Sequence, residues 1–396
     1  TKQDFNIIEG TVGSNGDLYF AFYVDNKISS KMPQKGEGYV LDTEKTTCTK
    51  GASVEFNTTE WAVKVVNMTE KGTKCNLYFR KQTFSDAILA CNDTAANCLN
   101  NNASLNTVEL VYDGTTDNNL RYIGADPNNY VSFNNELWRI IGVFNNIDDG
   151  TGNKESRLKI IRAEPIGKYS WDNKASGTGS STSNYGSNDW SDSALQLVLN
   201  EGAYWNRTTG ECPYGSDGAT TSCDFSSTGL TEEAKSMIGN VLWNLGGTAS
   251  YTISSNGLAS HWYSYERGTT VYSGHTTKWI GKIGLMYPSD YGYATSGGTT
   301  TDRETCLNKE LYNWNSSSYS DCKNNDWLYN SSNAQWTLTP NPDNSRDVFS
   351  VLSYGDMYFA SAHNAGPVVS PALYLKANVK IIVGTGTSSD PFILSL

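Results

Sequence analysis

Over its first eighty or so residues the chain alternates apolar and polar positions in short runs. "DLYFAFYVD", "WAVKVVNM" and "KCNLYF" each carry the two-residue period of a strand with one buried face, and Gly- and Pro-bearing stretches such as "PQKGEG" separate them. This pattern predicts a small all-β module over residues 1–82. "TFSDAILACNDTAANCLNNNASLNT" follows; its start suits one or two helical turns, and its Asn-rich end suits a linker over 83–116. From 117 onward the spacing mixes. "NLRYIGADPNNYVSFNNELWRIIGVF" reads as two strands joined at Pro-Asn-Asn, and "RLKIIRAEPIG" as a third.

Two helices are then expected. One is "SDSALQLVLNEG", with Ser191 or Asp192 as N-cap and Leu195, Val198 and Leu199 on one face. The other is "TEEAKSMIGNVLWNLGG", capped by Thr231, acidic in its first turn and stopped at Gly246-Gly247. Long Gly-, Ser- and Tyr-rich loops come next, and "WTLTP", "VFSVLSYGDMYF", "ALYLKANVKIIV" and "PFIL" close the chain as strands. The order gives an α+β fold over 117–396.

The run from Asp347 to Asn364 departs from an ordinary half-buried strand. At period two, Phe349, Val351, Met357 and Phe359 share a face with Ser353 and Gly355, while Ser350, Leu352, Tyr354, Asp356 and Tyr358 share the other. That second face lacks the Lys and Glu that usually solvate a strand. Tyr offers rigid contact area at small entropic cost, and Ser and Asn add adaptable hydrogen bonds, the composition of a binding surface. The expected ligand row is Asp347, Ser350, Leu352, Tyr354, Asp356, Tyr358, His363 and Asn364. The competing expectation is that this face packs on the loops around Cys306 and Cys322.

Charge narrows the function. The 396 residues carry a net charge of −11 with a pI near 4.8, and no Lys/Arg cluster stands out. Binding to nucleic acid is therefore not expected, nor is electrostatic docking on membranes. No apolar run approaches spanning length, so no membrane insertion of this chain is expected. The eight cysteines fall into near neighbours, Cys48 with Cys75, Cys91 with Cys98, Cys212 with Cys223 and Cys306 with Cys322. Without CxxC spacing and with three His residues in all, this reads as four local disulfides in an oxidising compartment, not as a metal site.

Residues 117–396 resemble bacterial surface proteins of the gut Firmicutes in the phrases "LRYIGADPNNYVSFNNELWRIIGVF", "GLTEEAKSMIGNVLWNLGG", "GKIGLMYPSDYGYATSGG", "WTLTPN" and "PALYLKANVKI". More distantly, the helix pair and the closing Trp-to-"YLK" block resemble the C-type-lectin-like fold in its formylglycine-generating-enzyme variant. Relatives there include variable proteins of diversity-generating retroelements, which mutate exposed residues of a C-terminal segment at adenines. The resemblance implies a lectin-like ligand-binding domain at 117–396 with its display segment at 341–370. Trp, Met, Lys, Glu and Gln, which adenine mutagenesis of an Asn codon cannot reach, are represented between Asp347 and Ser370 by Met357 alone, on the apolar face. One departure stands out. The family's Gly-Val-Arg-Pro is replaced here by Val368-Val369-Ser370-Pro371.

Catalytic patterns are absent. No "GxSxG", "HExxH" or P-loop occurs, and no cysteine follows Cys322 to supply the formylglycine enzymes' pair. Asn341-Pro342-Asp343 is superficially like the calcium loop of sugar-binding lectins, but no Trp-Asn-Asp follows it. No cofactor is expected; calcium is the one ion whose chemistry would suit this loop. The sequence thus reads as a non-enzymatic adhesin or receptor of the bacterial cell surface, secreted or displayed, that takes a protein or glycan ligand. Two alternatives stand beside it. One is a pilus-like filament subunit binding copies of itself, the other a glycan-active enzyme.

Overall fold

The computed structural model describes residues 18–174, 185–253 and 255–396. The chain divides into two compact units, 1–87 and 88–396. Residues 1–17 of the expected N-terminal module lie outside the described residues.

In the first unit, Leu18–Val24 runs parallel to Thr73–Lys81 at the centre of a five-stranded sheet. Lys27–Ser29 flanks the first of these, and Tyr39–Leu41 and Thr47–Cys48 flank the second. Alternation sends Phe22, Cys75, Leu77 and Phe79 to one face. There they meet Val63 and Val65 of the hairpin Ser53–Asn57/Ala62–Val66. Cys48 and Cys75 are register partners on neighbouring strands, and their disulfide staples that pair.

The second unit is a mixed α+β fold. Its large sheet runs in the order Ile283–Gly284, Ala372–Tyr374, Lys154–Arg162, Glu136–Asp148, Tyr130–Phe133, Phe392–Ser395, Lys380–Val383. The central strand Glu136–Asp148 is buried from Trp138 to Phe144, covered on both faces, which is why its apolar residues run on without alternation. A smaller sheet orders Gly167–Lys168, Val368–Val369, Gln335–Pro340, Asp347–Val351 and Met357–Ser361.

Several expectations change at the level of local geometry. Segment 83–116, expected to be a linker, contains the helix Ala95–Asn102, capped by Thr94, and the strand Leu110–Tyr112, which pairs with Leu120–Tyr122. Pro127-Asn128-Asn129 does lie between two strands, Leu120–Tyr122 and Tyr130–Phe133. The stretch also holds a third strand, Glu136–Asp148, reached through a tight turn at Asn134-Asn135, both at positive φ (59° and 61°). This is the left-handed pair that a two-residue hairpin demands. The cap of helix Ala194–Asn200 is Ser193, whose hydroxyl accepts from Gln196 N; Trp190–Asp192 form a separate 3₁₀ turn.

Thr231 caps as expected, but its helix is only Glu232–Met237. Ile238 turns extended and bridges Leu375, and Val241–Asn244 becomes a strand on Lys278–Gly281. In "MIGNVLWN" the apolar positions fit both periods, and strand pairing decides. The Gly246-Gly247 stop therefore ends no helix.

All four cysteine pairs are joined as disulfides. They fit an oxidising, extracellular setting. Among the described residues no helix is long and apolar enough to cross a membrane.

Buried charge holds the middle of the second unit. Arg121 Nε contacts Asp113 Oδ2 at 2.9 Å and its Nη1 contacts Asp290 Oδ1 at 2.7 Å; Lys159 Nζ lies 2.5 Å from Asp290 Oδ2. All four side chains are essentially inaccessible. Isolated charges would not survive such burial, and here each has an opposite partner.

Candidate functional site

The segment "VFSVLSYGDMYF" is a hairpin, not one strand. Asp347–Val351 pairs antiparallel with Met357–Ser361, matching Phe349 with Phe359, Ser350 with Tyr358 and Val351 with Met357. Residues opposite one another share a face, so the expected parity of the apolar residues survives the turn. Gly355, at φ +102°, makes the reversal, with Leu352 N donating to Asp356 O and Gly355 N to Leu352 O. A Cβ on Gly355 would sit 2.3 Å from Lys323 Cδ, so Gly is required both for space and for backbone angle.

Phe349, Val351 and Met357 form the inner side, Phe349 with its ring 4.7 Å from Trp262 and 5.1 Å from Tyr251. Phe359 is only half-buried and stacks on Tyr358, centroids 4.7 Å apart. Tyr312 and Tyr251 lie 6.0 and 5.9 Å from Tyr358. The result is a cluster of tyrosine rings that runs from buried Tyr251 out to Tyr358 at the surface, with Tyr354 beyond it.

Three successive carbonyls of the turn are each held by a side chain from elsewhere. Tyr329 Oη donates to Ser353 O at 2.7 Å, Lys323 Nζ to Tyr354 O at 2.6 Å, and Tyr291 Oη to Gly355 O at 2.7 Å. Lys323 belongs to the short helix Ser320–Asn324, which Cys322 ties to Cys306. Upstream, Asn188 Nδ2 reaches the carbonyls of Asn341, Asn344 and Asp347 at 2.8–2.9 Å. Asn188 Oδ1 meets His275 Nδ1 at 2.8 Å, which assigns the ring proton to that nitrogen.

The eight expected ligand residues therefore separate. Tyr354 (53% exposed), Tyr358 (36%) and Asn364 face solvent, and Leu352 and His363 are half-buried. Ser350, Asp347 and Asp356 are buried. The strand Asp347–Val351 lies between two neighbours and is covered on both sides, which removes Ser350 from any open face. Asp347 accepts from Ser361 Oγ and packs inside the hairpin. His363 stacks on Tyr185 at 4.3 Å.

Asp356 is the unusual member. It is 5% exposed, takes one long contact from Asn315 Nδ2 at 3.3 Å on Oδ2, and its Oδ1 has no hydrogen-bond partner. Burial pushes its carboxyl up to about 6, opposed by the Lys323 ammonium. The loops around Cys306–Cys322 do pack here, supplying Tyr312, Asn315 and Lys323. The packing expectation is thus met at Asp356 and Tyr358, while Tyr354 and Asn364 stay exposed.

Sequence reasoning missed the clamp of Tyr291, Lys323 and Tyr329 and the Asn188 anchor. Each acts on backbone carbonyls far along the chain, for which no local spacing exists. A broad cleft of about 700 Å³ lies elsewhere, lined by Leu197, Val198, Glu201, Glu211 and Pro213 among others, and none of the eight residues lines it. No group of His, Cys, Asp and Glu among the described residues is arranged to hold a metal ion. Compared with protein-family models, curated proteins and solved structures, the chain matches none.

Proposed function

We propose that the second unit is a non-enzymatic binding domain of an extracellular adhesin or receptor. Its hairpin Asp347–Ser361 presents Tyr354 and Tyr358 to a protein or glycan ligand. The observation that carries this reading is the clamped turn: two exposed tyrosines stand on a backbone whose carbonyls at 353, 354 and 355 are each pinned. Pinning the backbone in advance reduces the ordering cost of binding, and aromatic rings at a surface supply most of the contact energy.

The lectin-like identity of 117–396, a bacterial cell-surface location and diversification of 341–370 belong to the same proposal, supported by the resemblance of the sequence phrases. The binding face is narrower than the sequence row, with Leu352, Tyr354, Tyr358 and Asn364 as contact residues and Ser350, Asp347 and Asp356 as its support.

The test is an alanine scan of all eight positions, read by capture of the full chain on panels of glycans and extracellular proteins. Tyr354→Ala and Tyr358→Ala should each weaken capture about tenfold or more, with circular dichroism unchanged. Ser350→Ala should change capture less than either. Equal losses at every position, or none at the tyrosines, would contradict the reading.

A further inference from the structure

The buried ion pair of Lys159 and Asp290 has no part in the proposed binding face. Both side chains are wholly inaccessible, and Nζ lies 2.5 Å from Oδ2. The ammonium sits in an aromatic box, 4.2 Å from the ring centre of Tyr287 and 5.4 Å from those of Phe144, Trp243 and Tyr374. Oδ1 of the same carboxylate is gripped by Arg121 Nη1 at 2.7 Å. A second buried acid stands alongside: Glu266 accepts from Ser289 N at 2.8 Å and from Ser289 Oγ at 2.6 Å, and Ser289 directly precedes Asp290.

We propose that Lys159 and Asp290 become joined by an isopeptide bond that the folded protein forms on itself. Each component of that chemistry has a residue. Transfer of one proton from the ammonium to Oδ2 yields an amine and a carboxylic acid, a neutral pair suited to wholly buried side chains. The Nζ lone pair attacks Cγ. Charge gathering on Oδ1 meets the Arg121 guanidinium, in the manner of an oxyanion site. Glu266 takes the amine proton and returns it to the departing Oδ2. The C–N bond forms, the C–Oδ2 bond breaks, and one water leaves; no oxidant, metal or co-reactant enters the balance.

Burial brings the Lys159 amine down to about 8 and the Glu266 carboxyl up to about 7, so the amine and both forms of the shuttle are accessible near neutral pH. Against the effect of burial, Lys159 and Arg121 hold Asp290 below its usual range, so the neutral pair is the minor form. Held contact between amine and carboxyl replaces the activation that a solution amide synthesis needs. The product removes two charges from the interior and leaves Arg121 paired with Asp113, so charge still balances. The bond would tie the strand Lys154–Arg162 to the helix Pro288–Ala294, across 131 residues of sequence.

Intact mass decides the matter. The full chain is incubated folded at neutral pH, then denatured with every disulfide reduced. The expected mass is one water below that of the sequence, with a branched peptide joining the segments around Lys159 and Asp290. Glu266→Gln should remain at full mass, and Asp290→Asn should lose ammonia in place of water. Wild type at full mass would overturn the proposal, whatever the variants do. So would a water loss that persists in Lys159→Met, because it would then arise elsewhere.

Discussion

Asp356 shows how a single residue can support the proposed binding face from inside the fold. Its backbone closes the turn, its side chain is buried, and its carboxyl is raised from the usual range to about 6 by burial. The folded state therefore holds a proton on Asp356 that the unfolded chain has already released. The sign follows: this group's contribution to stability is greatest below about pH 4 and is lost as the pH rises toward 6. Asp356→Asn removes the ionisation. In denaturant titrations it should abolish that part of the pH dependence and stabilise the fold at pH 7 by about 1–2 kcal/mol. A variant less stable than wild type at pH 7, with the slope between pH 4 and 6 unchanged, would place the strain elsewhere.

At the scale of elements, the hairpin is held by a neighbour that is itself stapled. The helix Ser320–Asn324 is five residues long, too short to persist alone, and the Cys306–Cys322 bond closes a loop of 16 residues around it. Replacing both cysteines with Ser should cost about 3 kcal/mol of stability. It should also speed amide exchange at Leu352 and Gly355, whose turn rests on Lys323. Unchanged protection at those two amides would mean that the staple does not support the display.

The sequence made the parity of the hairpin legible, because opposing residues keep their face through a turn. It made the four disulfides legible as well, since each closes a short loop. It misread "MIGNVLWNLGG", where helical and strand periods coincide and only Leu375 and Lys278–Gly281 decide between them. The buried cluster was invisible for another reason. Asp113, Arg121, Lys159, Glu266 and Asp290 come from separate elements, and nothing in the spacing of a charged residue tells an interior position from a solvated one. Likewise, Ser350 looked exposed because the sequence does not say which strands have neighbours on both sides.

For the whole molecule, each of the four disulfides joins residues within one unit, and the separations run from 7 to 27 residues. Each unit is therefore stapled within itself, a suitable build for a module that works outside the cell. Net charge of −11 favours solubility and disfavours acidic partners. The central claim is that binding passes through two tyrosines on a clamped turn. Its most direct test is the dissociation constant of the full chain for the tightest partner found on the panels, compared between wild type and the Tyr354→Ala, Tyr358→Ala double variant. The account predicts a loss of about a hundredfold or more at unchanged thermal stability. An equal affinity in a folded double variant would contradict it.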